Sequence, residues 1–94
     1  MSAKETGSLS NIQNELSRGW QLHQAKQLGA AEKIYREVLA KSPQNPNAWC
    51  YLGIALHDTR RFPEAVEAYE KALAIQPAFP IALNNMGNSL RYVG

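Results

Sequence analysis

The sequence predicts an all-α solenoid of five antiparallel-stacked helices: two complete helix pairs and the first helix of a third. Three observations carry this reading. Residues recur in phase every 34 positions: Gly19, Gly53 and Gly87; Leu22, Leu56 and Leu90; Ala31 and Ala65; Tyr35 and Tyr69; Pro43 and Pro77. A fixed period of that length means one supersecondary unit copied along the chain. Apolar residues also return at three- and four-residue steps, and no stretch alternates with period two. Finally, the prolines fall between the apolar stripes, where helices begin or end.

Residues 1–7 are polar and lack any period, so a disordered tail is expected there, followed by one ordered domain over 8–94. Ser10 and Gln13 form a capping-box pattern that would start helix one. That helix should run to about Lys26 and turn Leu9, Ile12, Leu16, Trp20 and Leu22 or His23 inward, with Gly29 marking the turn after it. Helix two takes about Ala30 to Ser42 and buries Ala31, Ile34, Tyr35, Val38 and Leu39. Its outer face carries Glu32–Arg36 and Glu37–Lys41, acid-first pairs worth about 0.3–0.5 kcal/mol each. Pro43 ends it.

Asn45 is a suitable N-cap for helix three, and Pro46 fits its first position. Trp49, Leu52, Gly53 and Leu56 make the inner stripe, and Thr59–Phe62 the turn. Pro63 opens helix four, which buries Ala65, Val66, Tyr69, Ala72 and Leu73 and shows Glu67–Lys71 to solvent. Pro77 stops it. Pro80 opens helix five, with Leu83, Met86, Gly87 and Leu90 on its packing stripe. A mid-helix glycine costs about 1 kcal/mol relative to alanine. Three in one phase point to close approach of a neighbouring helix. Ala31 and Ala65 predict that this approach is small residue against small residue.

Composition narrows the function. A net charge of +2 is too small to argue for a nucleic-acid partner. The single cysteine, Cys50, can form neither an internal disulfide nor a zinc knuckle. No apolar run approaches the roughly 20 residues of a membrane helix, and the first residues lack a signal-peptide pattern. A soluble cytoplasmic protein without membrane contact is the expectation. No nucleophile–base pair, phosphate loop or metal cluster is apparent, so no enzyme activity, cofactor or metal is expected.

The chain resembles the tetratricopeptide repeat family. Residues 46–79 carry its pattern most closely, through Trp49, Leu52, Gly53, Ala65, Tyr69, Ala72 and Pro77, with Leu56 in place of the usual tyrosine. Residues 12–45 are a more divergent copy that keeps Gly19, Leu22, Ala31, Tyr35 and Pro43 but has Glu15 and Arg18 where tryptophan and leucine are typical. Residues 80–94 cover one helix of a third repeat. The resemblance implies a short right-handed solenoid whose first helices line a concave groove.

On that basis the peptide-binding groove would be formed by Leu16, Trp20 and His23 on helix one, Cys50, Ile54 and His57 on helix three, and Asn84, Asn85, Asn88 and Arg91 on helix five. One subgroup of the family binds the C-terminal carboxylates of chaperone tails through a Lys/Asn/Arg clamp. Its positions fall here on Leu16, Trp20, Tyr51, Ile81 and Asn85, none of them cationic, so that function is not expected. Asparagine amides can donate to and accept from a peptide backbone whatever its sequence, and long superhelices of the family use inner-face asparagines in this way. His23, His57 and Arg91 should form a stacked row, with the histidines about 10 Å apart on typical helix spacing. That is too far for a shared metal ligand, and ordinary groove histidines are expected. Lys26, Arg60, Arg61 and Arg91 lie near the turns as solvated rim charge.

Leu83, Met86, Leu90 and Val93 leave more apolar surface on helix five than one neighbour covers, which predicts a homo-oligomer associating through that helix. The expected function is therefore a protein–protein interaction module that holds a peptide segment. The alternative is an N-terminal substrate-recruiting segment of a larger enzyme such as a glycosyltransferase.

Overall fold

A computed structural model describes the backbone of residues 2–93 and the side chains of residues 11–93. The fold is all-helical: α1 (Ser2–Gln24), α2 (Leu28–Lys41), α3 (Pro46–Asp58), α4 (Phe62–Ile75) and α5 (Pro80–Val93), with no strand among the described residues. Each helix packs mainly on its chain neighbours. The backbones of the odd helices also approach one another, α1 with α3 and α3 with α5, whereas those of α2 and α4 do not. The stack is therefore tighter along the odd layer, which becomes its concave side.

The start of α3 follows its cap. Asn45 Oδ1 accepts the Ala48 N–H at 3.1 Å, and Pro46 stands at the first position of α3. The start of α1 differs from the expectation. The helix already runs from Ser2, so Ser10 is interior rather than a cap, and residues 2–7, expected as a disordered tail, continue the helix.

The turn within each repeat also corrects the sequence reading. Gly29 lies inside the first turn of α2. The left-handed residue is Lys26, φ 67°, and its copy is Arg60, φ 65°. In both turns the backbone closes the same way. Lys26 N–H bonds His23 O at 3.0 Å and Gln27 N–H bonds Leu22 O at 2.9 Å; Arg60 N–H bonds His57 O and Arg61 N–H bonds Leu56 O, each at 2.9 Å. This is the Schellman closure of a helix C-terminus, built on a long cation instead of the usual glycine.

The α2 stripe is buried as predicted: Ala31, Ile34, Tyr35, Val38 and Leu39 all face the core. In α4 the buried set is Ala65, Ala68, Tyr69 and Ala72; Val66 and Leu73 are half-buried. The glycines work differently from the small-against-small expectation. A Cβ on Gly19 would meet Tyr35 Cε1 at 2.6 Å, and one on Gly53 would meet Tyr69 Cε1 at 2.5 Å. Each glycine is thus the seat of an aromatic ring carried by the next helix. Trp49 is half-buried and ties the inter-repeat turn by donating Nε1–H to Pro43 O at 2.8 Å.

Of the three expected intrahelical ion pairs, Arg36–Glu32 forms at 2.9 Å. Lys41 instead reaches across to Glu15 at 3.1 Å, and Lys71 lies over the Trp49 ring, 5.4 Å from its centroid. Glu32 also accepts from Arg61, which fastens the start of α4 to α2.

Candidate functional site

The odd helices bring part of the expected groove together. Ile54 and His57 on α3 and Asn85 and Asn88 on α5 line one recess of about 90 Å³, completed by Asp58 and Tyr69. That volume holds about three waters, so it suits a small side chain or a polar group rather than a large anchor. Trp20 stands further along the same face. Its ring lies 5.5 Å from that of Tyr51, which in turn stacks on Tyr35 at 5.5 Å. The face therefore passes from half-buried aromatic surface on α1 and α3 to amides on α5.

Trp20, Ile54, His57 and Asn85 are half-buried, and Asn84, Asn88 and Arg91 are exposed. Three expected groove residues are not open to a ligand. Leu16 and Cys50 belong to the hydrophobic core, and His23 is buried. Leu16 turns inward because the 100° step per residue carries it toward α2 and α3 while Trp20 remains at the edge. Burial pushes the Cys50 thiol up to about 11, which leaves it protonated and unreactive near neutral pH.

The histidines do not form a free row; each fastens one repeat to the next. His23 Nε2 lies 2.6 Å from Asp58 Oδ2. A carboxylate can only accept, so Nε2–H donates, and the buried Nδ1 has no partner. His57 Nδ1 lies 2.8 Å from Ser89 Oγ. The His57 ring also meets Phe62 and Tyr92 edge-on at 5.0 and 5.7 Å. The repeat spacing does not announce Asp58 and Ser89 as the partners of the two histidines. One signal was present: Ser89 stands in phase with Ala55, and a polar residue in phase with a buried alanine needs a hydrogen-bond partner.

The electrostatics sit on the opposite side. Burial would raise the Glu32 carboxyl, but hydrogen bonds and charge from Arg61 and Arg36 outweigh it and hold the group below its ordinary 4.5. Arg61 is raised in turn by its bond to Glu32. Burial raises both Tyr35 and Tyr69 above the ordinary phenol value. Among the described residues no three His, Cys, Asp or Glu converge on a metal position, and no helix is long and apolar enough to cross a membrane.

On α5 the expected association stripe is open. Leu83, Leu90 and Val93 are 51%, 48% and 47% exposed. Met86 is half-buried and packs on the core.

Comparison with known proteins agrees with this architecture. Residues 17–80 match the tetratricopeptide repeat family model. The chain is 31% identical over 80 residues to the peroxisomal targeting signal receptor of Kluyveromyces lactis, covering 85% of this chain and 14% of that protein. It is 37% identical over 60 residues to the receptor of the same name from Candida albicans, covering 64% of this chain and 10% of that protein. The chain thus spans a small part of the length of the curated relatives it matches. Among solved structures, the second TPR domain of Spaghetti (RPAP3), bound to the HSP90 peptide SRMEEVD, superposes with TM-score 0.88 at 16% identity, covering 100% of this chain and 85% of that one. MamA superposes with TM-score 0.79 at 24% identity, covering 93% and 52%.

Proposed function

Because the chain belongs to the tetratricopeptide repeat family, we propose that it is a protein–protein interaction module whose concave face holds a peptide segment. The observation that carries this is the recess joining Ile54 and His57 of α3 to Asn85 and Asn88 of α5. Trp20 and Tyr51 offer apolar area beside it for a side chain of the ligand, since aromatic rings give large contact at small entropy cost. Asn85 and Asn88 hydrogen-bond the ligand's main chain, with Asn84 and Arg91 at the exposed end. A peptide complex of a structural neighbour supports the use of this fold for peptides, not the identity of the ligand. A cytoplasmic setting suits a chain whose one thiol is buried and unpaired.

A pull-down with the wild-type chain beside the Trp20→Ala/Asn85→Ala variant tests the groove. Loss of a distinct set of partners is expected, and identical sets overturn the reading. The alternative, a substrate-recruiting segment of a larger enzyme such as a glycosyltransferase, draws support from the much greater length of the matched relatives. Those relatives are named as receptors, which favours recognition of a protein signal over service to a catalyst. Self-association through Leu83, Met86, Leu90 and Val93 is a competing use of α5. Light scattering across a wide concentration range decides it, and a monomer throughout rejects it.

A further inference from the structure

We infer that the ligand peptide carries a basic side chain, lysine or arginine, whose cationic N–H donors enter the recess beside Asp58. It stands near an apolar side chain of the same peptide that rests on Trp20 and Tyr51. The inference depends on the peptide-binding reading of the concave face and adds which peptide that face selects.

The acceptors of the recess carry it. Six residues line the space: Ile54, His57, Asp58, Tyr69, Asn85 and Asn88. Asp58 brings the one carboxylate, and no lysine or arginine is among the six. Asp58 accepts from His23 through Oδ2, and its side chain is still 43% exposed. A carboxylate accepts several hydrogen bonds and donates none, and each asparagine amide adds an oxygen acceptor while its NH2 serves the ligand's main chain. Closing the recess takes the Asp58 charge out of water. A cation offsets that cost, and a neutral or acidic group does not. The volume of about 90 Å³ suits the head of a long side chain whose stem lies along Ile54. Nearby cations are placed elsewhere. Arg61 bonds Glu32, Arg60 lies 5.9 Å from the centre of the Phe62 ring, and Arg91 is exposed, where salt screens it.

The preceding repeat shows why the basic residue has one place. In the phases of Ile54, Asp58, Asn85 and Asn88 stand Trp20, Gln24, Tyr51 and Ile54. There the Tyr51 ring stacks on Tyr35 and lies 5.5 Å from that of Trp20. The α1–α3 junction is thus aromatic and uncharged, and the α3–α5 junction is acidic and rich in amides. Neighbouring helices lie about 8–10 Å apart, which an extended peptide spans in about three residues at roughly 3.3 Å each. The selected motif is an apolar and a basic residue about that far apart.

The test is selection from a synthetic random octapeptide library, acetylated and amidated so that no terminal charge competes. The baits are the wild-type chain and Asp58→Asn, which keeps an acceptor for His23 but removes the charge. Asn85→Lys is a second bait, which sets a cation in the recess and leaves Asp58 in place. Circular dichroism establishes that each bait is folded. The wild type should enrich lysine or arginine at a fixed distance from an apolar residue. Both variants should enrich the apolar residue without the basic one. Lysine points to an ammonium and arginine to a guanidinium, and either supports the inference. In the best wild-type peptide, norleucine in place of the basic residue should weaken binding to the wild type by about tenfold and to Asp58→Asn much less. Related peptides without a basic residue, or an equal loss on norleucine in both proteins, overturn the inference and leave the groove standing. No enrichment overturns both.

Discussion

The ring of Tyr69 rests on the bare backbone of Gly53, so closely that a Cβ at Gly53 would stand 2.5 Å from Tyr69 Cε1. Tyr69 is 1% exposed, and its ring cannot swing aside into solvent. The glycine is what lets α3 and α4 close to this distance, and the pair Gly19–Tyr35 repeats the arrangement in the first repeat.

The three glycines should therefore respond to alanine with opposite signs. Gly53→Ala and Gly19→Ala gain helix propensity but overpack the ring, with a net loss of about 1–3 kcal/mol. Gly87→Ala meets no neighbour within 4 Å and should gain about 0.5–1 kcal/mol. Urea unfolding of the three variants checks the contrast.

The turns carry strain that glycine would relieve. Lys26 and Arg60 hold left-handed backbone, which costs a residue with a Cβ about 1 kcal/mol or more. Arg60→Gly and Lys26→Gly should each stabilise the fold by a few tenths to about 1 kcal/mol. Thermal unfolding should show the midpoint rising, by more in the double variant.

The repeats are coupled through His23 and Asp58. Asp58→Ala leaves the His23 Nε2–H buried without an acceptor and should cost about 1–3 kcal/mol. Asp58→Asn keeps an acceptor and should recover part of the loss. Hydrogen exchange should quicken in α1, which the pair fastens to α3, more than in α5.

Glu32 should make stability depend on acid. Its folded value lies below the ordinary 4.5, so its stabilising effect is fully present above the unfolded value and disappears as pH falls through the folded one. Glu32→Gln should cost about 0.5–1 kcal/mol at pH 7, a discounted figure because Arg61 is partly exposed. The deficit should close below the folded value, which urea midpoints at pH 7 and in acid would show.

Much of this fold could be read from the spacing of apolar residues. The α2 stripe from Ala31 to Leu39, the Asn45 cap and the proline boundaries need only local rules of helix geometry. What escaped was decided by contacts between distant residues. Spacing pairs Lys41 with Glu37, four residues away, but Glu15 competes from another helix. The phase of Gly19 and Gly53 showed that something comes close; it could not show that Tyr35 and Tyr69, not Ala31 and Ala65, supply the closest atoms. His23 and Leu16 share the groove helix with Trp20, and only the packing of α2 and α3 decides which of them is covered. The left-handed turn was invisible because Lys26 and Arg60 are not residues that announce one.

The most direct measurement of the central claim is selection of a random peptide library on the immobilised chain, in parallel with the Trp20→Ala/Asn85→Ala variant. If the concave face holds peptides, the wild type enriches a family of related sequences that the variant does not. Failure to enrich, or the same family from both proteins, would contradict the claim.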